Sequence, residues 1–103
     1  MVREPSDRAD EIVSVEVRVT GRVHGVGFRY FVHESARRLA LFGYVMNLRE
    51  GGVRAYAEGP RPALETFARA VERGPAGASV RGARTHWGTA TGEYTAFSIR
   101  PTL

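Results

Sequence analysis

The sequence predicts an α+β fold, with two helices on one face of a mostly antiparallel sheet. Three observations carry this expectation. The stretch "VSVEVRVTG" alternates apolar and polar residues with period two. Two later stretches repeat apolar residues at helical spacing. Short strand-like runs bracket each of them, giving the order β-α-β-β-α-β plus a short terminal strand. Right-handed crossovers then place both helices on the same side of the sheet. This is the split-βαβ, or ferredoxin-like, sandwich. It hosts many functions, so the residues on its loops must decide among them.

The elements follow in order. Residues 1–11 read as a flexible polar tail and residues 12–103 as a single domain. Val13, Val15, Val17 and Val19 share one face of the first strand, opposite Ser14, Glu16, Arg18 and Thr20, the pattern of a half-buried strand. In "FRYFVHESARRLALFG", Phe28, Phe31, Val32, Ala36, Leu39 and Ala40 form the apolar stripe of a helix. Glu34 stands four residues before Arg38, the favourable order for a surface pair, and Gly43 is the expected stop. "YVMNLR" and "VRAYAE" flank the turn "EGG" as a hairpin. The second helix lies in "GPRPALETFARAVERG", with Pro62 in its first turn, Leu64, Phe67, Ala68 and Val71 on its stripe and Gly74 at its end. "SVRGARTHW" reads as a strand weakened by Gly82, and "AFSIR" as a short last strand.

Composition narrows the classes. A chain of 103 residues is one small domain with room for a core. It has no cysteine, which rules out disulfides, thiolate catalysis and thiolate metal sites. No run approaches the ~20 apolar residues of a membrane span, and no apolar leader is visible, so a cytoplasmic location is expected. The net charge is +4, yet all 15 basic residues are arginine, which points to codon bias more than to a basic surface. The charges are dispersed, so nucleic-acid binding is permitted but only weakly supported.

The loop "GRVHGVGFR" is the first candidate for chemistry. Gly21, Gly25 and Gly27 can adopt positive φ and allow close approach to the backbone. Successive N–H groups between a strand and a helix N-terminus form an anion nest. The same glycines serve equally to turn a tight corner. Arg29 bears on that choice: a cation in a helix's first turn is unfavourable by about 0.3–1 kcal/mol, unless an anion sits between it and the N–H groups. Asn47 is the second candidate, since asparagine is disfavoured in strands. From propensity alone it reads as an ordinary exposed residue, on a strand able to lie at an edge. His24 lies in the nest loop. His33 is expected on the polar face of the first helix and His86 on the weak strand, and the three have no metal-ligand spacing. No clustered carboxylates suit magnesium, and no G-x-S-x-G is present. An enzyme built from these residues works by positioning and charge stabilisation, with no metal or other cofactor expected.

Together, "GRVHGVGFRYFVHESARRLALFGYVMNLREGGVRAYAEGP", "RGPAGASV" and "TGEYTAFSIR" resemble the acylphosphatase family over about residues 13–100. The family pattern is G-x-V-Q-G-V-G-F-R, then G-W/Y-V-x-N, then V-x-V-x-x-E-G. His24 stands where Gln is usual, and Tyr44 where Trp is common. The resemblance implies a metal-independent cytoplasmic hydrolase of acyl phosphates. It implies that Arg29 and the N–H groups of Val23, His24, Gly25, Val26, Gly27 and Phe28 bind phosphate, and that Asn47 positions the attacking water. The expected partner is a small acyl phosphate, with no nucleic acid or membrane, and the expected state is a monomer. Two alternatives stand beside it: a ferredoxin-like RNA-binding module, and a domain handling carbamoyl phosphate.

Overall fold

Alternation along the first strand builds one wall of the core. In the computed structural model, which describes residues 11–102, β1 spans Ile12–Arg22, and its four odd-numbered valines from Val13 to Val19 are buried. The remaining elements are α1 (Phe28–Arg38), β2 (Phe42–Asn47), β3 (Val53–Pro60), α2 (Arg61–Arg73), β4 (Ser79–Thr89) and β5 (Phe97–Arg100). They form one sheet in the order β4-β1-β3-β2-β5. All its pairings are antiparallel except β2 with β5, which run parallel. This is the predicted ferredoxin-like α+β architecture. Most of the proposed tail, residues 1–10, lies outside the described residues. Glu11, counted with that tail, accepts a hydrogen bond at its carbonyl from the Arg61 N–H at 3.2 Å.

The register explains how the helices seat. Val15 faces Ala57, Val17 faces Ala55 and Val13 faces Gly59. The small side chains of β3 leave room over the middle of the sheet. Leu64, Phe67, Ala68 and Val71 from α2, with Phe28, Val32 and Ala36 from α1, close the core over it. Phe97 of β5 completes it edge-on to Phe67, with ring centroids 5.9 Å apart.

The first helix stops earlier than its apolar stripe suggested. It ends at Arg38, and Ala40 takes the left-handed conformation at φ 57°. The Leu41 N–H bonds the Ala36 carbonyl at 2.9 Å, and the Ala40 N–H bonds that of Arg37 at 3.1 Å. These two bonds are a Schellman cap with alanine where glycine is usual. Gly43, the expected stop, instead lies within β2. Its φ is 147°, and a Cβ there would stand 2.0 Å from the Tyr56 carbonyl oxygen. Close strand contact requires that glycine. Glu34 pairs more closely with Arg37, at 2.9 Å, than with Arg38, at 3.8 Å.

β2 is also not an edge strand. β5 pairs alongside it, Gly43 with Phe97 through Met46 with Arg100. Side chains alternate along a strand, so Asn47 shares the helix-side face of the buried Val45, while Tyr44, half-buried, and Met46, buried, point to the opposite face. Gly82 sits where β1 and β4 slip register, between Thr20 and Gly21, which accounts for the weak strand signal there. Among the described residues no helix is long and apolar enough to cross a membrane.

Candidate active site

The loop from Val23 to Gly27 delivers α1 with its N-terminus bare. Gly27 is the N-cap at φ 72° and makes no side-chain cap bond, and the first turn has no acidic residue. The leading N–H groups of a helix have no partner inside it. Here no capping side chain supplies one. The partial positive charge of the helix end is joined by the Arg29 guanidinium, so the local field favours an anion.

These groups line a cavity of about 190 Å³ bounded by Val23, Gly25, Gly27, Phe28, Arg29, Tyr30, Asn47 and Ile99. The topology assembles it. β1 and α1 supply the loop and the arginine, the end of β2 supplies Asn47, and the parallel strand β5 brings Ile99 to the same side. Arg29 Nη1 donates to the Arg100 carbonyl at 3.1 Å. That bond uses one of five guanidinium N–H groups and leaves the rest of the fork free to meet a bidentate anion.

Of the eight residues singled out in the sequence, the structure brings Val23, Gly25, Gly27, Phe28, Arg29 and Asn47 to this cavity. His24 and Val26 do not line it. His24 Nε2 instead donates to the Gly52 carbonyl at 2.6 Å. The same carbonyl accepts the Leu48 N–H at 2.9 Å, so His24 ties the nest loop to the hairpin immediately after Asn47. Val26 packs against the core. His33 is half-buried with its ring 6.1 Å from that of Phe97, not on an open polar face, and His86 is exposed on the opposite side of the sheet. Tyr30 and Ile99 were not anticipated. Tyr30 lies off the apolar stripe of α1, and Ile99 reaches the cavity through the parallel β2–β5 pairing.

The face of the sheet away from the helices has a different character. Tyr44, Tyr56 and Tyr94 pack together with ring centroids 5.4–6.0 Å apart, and Arg100 lies 3.9 Å over Tyr44. Beneath them Glu58, only 4 % exposed, accepts bonds from the Tyr56 hydroxyl, the Thr91 N–H and hydroxyl, and the Gly92 N–H. Burial on its own raises a carboxyl pKa, but the bonds from Thr91, Tyr56 and Gly92 outweigh it and hold Glu58 below its ordinary value. Tyr56 is pushed up to about 12, first by burial and then by its bond to Glu58. The tyrosine rings spend their faces on one another and on Arg100.

The structure thus joins an α+β sandwich to an uncapped helix N-terminus, an arginine in its first turn and an asparagine lining the same cavity. The comparisons give the family. The acylphosphatase family model matches residues 15–99. An acylphosphatase from Salinibacter ruber is 45 % identical over 86 residues, covering 84 % of this chain and 90 % of that one. The crystal structure of acylphosphatase from Bacillus subtilis superposes with a TM-score of 0.81 at 38 % identity, covering 85 % of this chain and 98 % of the other. Full-length HypF, in a phosphate- and nucleotide-bound form, also superposes with a TM-score of 0.81 at 28 % identity, covering 93 % of this chain but 13 % of that much longer one. The chain belongs to the acylphosphatase family.

Proposed function

We propose that the protein hydrolyses small acyl phosphates to carboxylate and inorganic phosphate, with Arg29 and the N–H groups of the Val23–Phe28 loop holding the phosphoryl group and Asn47 orienting water. The observation that carries this reading is the convergence of Arg29, Gly25, Gly27 and Asn47 on one cavity at an uncapped helix N-terminus. Acyl phosphates suit such a site. The leaving group is a carboxylate, a weak base, so no general acid is required. Water oxygen bonds to phosphorus as the P–O bond to the acyl group breaks, and the electron pair leaves with the carboxylate. The water proton passes to a nonbridging phosphate oxygen, because Asn is not a base. Charge in the transition state rests on the nonbridging oxygens. A guanidinium fork and fixed N–H dipoles stabilise it there without reorganising.

On this reading the enzyme works as a cytoplasmic monomer without a metal. The test is hydrolysis of benzoyl phosphate followed by ultraviolet absorbance, with and without exhaustive chelation. Turnover unaffected by chelator is expected, along with competitive inhibition by inorganic phosphate. Activity that disappears with chelator and returns with magnesium overturns the mechanism. The likeness to a segment of a longer chain supports the second reading, a domain handling carbamoyl phosphate. Turnover of carbamoyl phosphate but not of benzoyl phosphate selects it.

A further inference from the structure

Four large apolar side chains are exposed among the described residues: Ile12, Tyr30, Phe42 and Ile99. Two of the four, Tyr30 at 76 % and Ile99 at 38 % exposure, line the cavity that holds Arg29 and Asn47. We propose that Tyr30 and Ile99 form the acyl side of this cavity and make the enzyme selective for acyl phosphates with an aromatic or branched apolar acyl group. This deepens the hydrolase reading above and rests on it.

The cavity lining is of two kinds. Gly25, Gly27 and Arg29 supply N–H groups and positive charge, while Tyr30 and Ile99 supply exposed carbon surface and Val23 and Phe28 are buried behind it. Apart from the Tyr30 hydroxyl, the only polar side chains in the lining are those of Arg29 and Asn47. A polar acyl chain therefore gains few partners there, and an apolar one covers two side chains that otherwise face water. The pair is also fixed relative to the phosphate anchor. Tyr30 follows Arg29 directly on α1. Ile99 precedes Arg100, whose carbonyl accepts the Arg29 guanidinium bond at 3.1 Å. At about 190 Å³ the cavity is smaller than the roughly 300–1,000 Å³ of pockets for drug-sized ligands. That size suits a single ring or short branched chain beside the phosphate.

The test compares kcat/KM for benzoyl phosphate and acetyl phosphate in the parent and in Tyr30→Ala, Tyr30→Phe and Ile99→Ala, each checked for folding by circular dichroism. The benzoyl-to-acetyl ratio is expected to fall roughly tenfold in Tyr30→Ala and about threefold in Ile99→Ala, the range for losing apolar contact in a pocket. Tyr30→Phe keeps the ring and restores the ratio. An unchanged ratio in folded Tyr30→Ala, with both substrates still hydrolysed, overturns the subsite and leaves the hydrolase reading standing. A Tyr30→Phe ratio as low as that of Tyr30→Ala overturns it as well, since the hydroxyl and not the ring would then select. A parent that hydrolyses neither substrate removes the hydrolase reading and this proposal together.

Discussion

The sheet divides two polar regions that handle hydrogen bonds in opposite ways. On its helix side, beside Ile99, the N-terminus of α1 has no side-chain cap, and Arg29 is held by a single carbonyl. On its other side, Glu58 is closed in by Tyr56, Thr91 and Gly92. On the proposed reading, the first region holds donors in place for a phosphoryl group. The second meets its own needs and so fixes the loop that leads into β5. A polar cluster is read as a site by which of its groups lack partners, not by how many it contains. The Glu58 cluster has more hydrogen bonds than the cradle and is the better satisfied of the two.

The largest expected effects break the cradle. Arg29→Gln should weaken phosphate binding and reduce turnover together, because on the proposed reading the fork meets the phosphoryl group before and during reaction. Arg29→Lys should recover only part of the loss, since a point charge does not reproduce the planar fork. Asn47→Ala should cut kcat while leaving phosphate affinity near that of the parent. A loss of about 2–4 kcal/mol in transition-state stabilisation is expected for each removal. Steady-state kinetics with phosphate calorimetry, on variants shown to melt cooperatively, separates the two patterns. Folded Asn47→Ala with full turnover would falsify the role assigned to it.

The next effect belongs to the knot and should appear in stability. Glu58→Ala strips the acceptor from two N–H groups and two hydroxyls, and is expected to cost about 2–3 kcal/mol in urea unfolding. If unfolding is unaffected while kcat collapses, the two regions have been assigned the wrong way round.

The knot also sets a pH dependence. Glu58 is held below its ordinary value of 4.5. Its contribution is therefore complete above that pH and is lost as pH falls through the lower, folded value. Tyr56 acts at the other limit: its contribution is complete below pH 10 and declines between there and about 12. Glu58→Gln should flatten the acid limb of a plot of unfolding free energy against pH. An acid limb as steep as the parent's assigns it to other carboxylates.

Smaller again is the link between loop and hairpin. His24→Ala removes the bond to Gly52 and should lower kcat/KM roughly fivefold, equivalent to about 1 kcal/mol, the worth of an ordinary hydrogen bond. His24→Gln, which offers an amide donor, should recover most of it. Equal kinetics for all three proteins would show that the loop holds its shape without the bond. The smallest effect tests the helix stop. Ala40→Gly relieves a left-handed alanine at the cost of a freer unfolded chain, for a net gain of about 0.5–1 kcal/mol in thermal stability. A lower melting temperature would show that the unfolded-state cost outweighs the relieved strain.

Much of this molecule follows from local pattern. The valines of β1 announce a half-buried strand because side-chain direction alternates along any strand. The stripes of α1 and α2 announce helices for the corresponding reason, and Gly25, Gly27 and Arg29 mark the cradle because they are neighbours in sequence. The joint spacing of that loop and Asn47 is what made the family legible. Other features depend on which strands meet. Asn47 looked like a solvent-facing edge residue, and β5 turned its strand into an interior one. Ile99 gave no local sign of lining the cavity, and nothing in the alternation of "VRAYAE" showed that Glu58 would be buried among four donors. The stop of α1 before Ala40 was hidden because the Schellman bonds from Leu41 and Ala40 hold an alanine, where glycine is usual, in a conformation it seldom adopts alone. Periodicity and spacing are written along the chain. Edge or interior, satisfied or unpaired, is settled by packing between segments far apart in sequence, and that information lies in no single stretch.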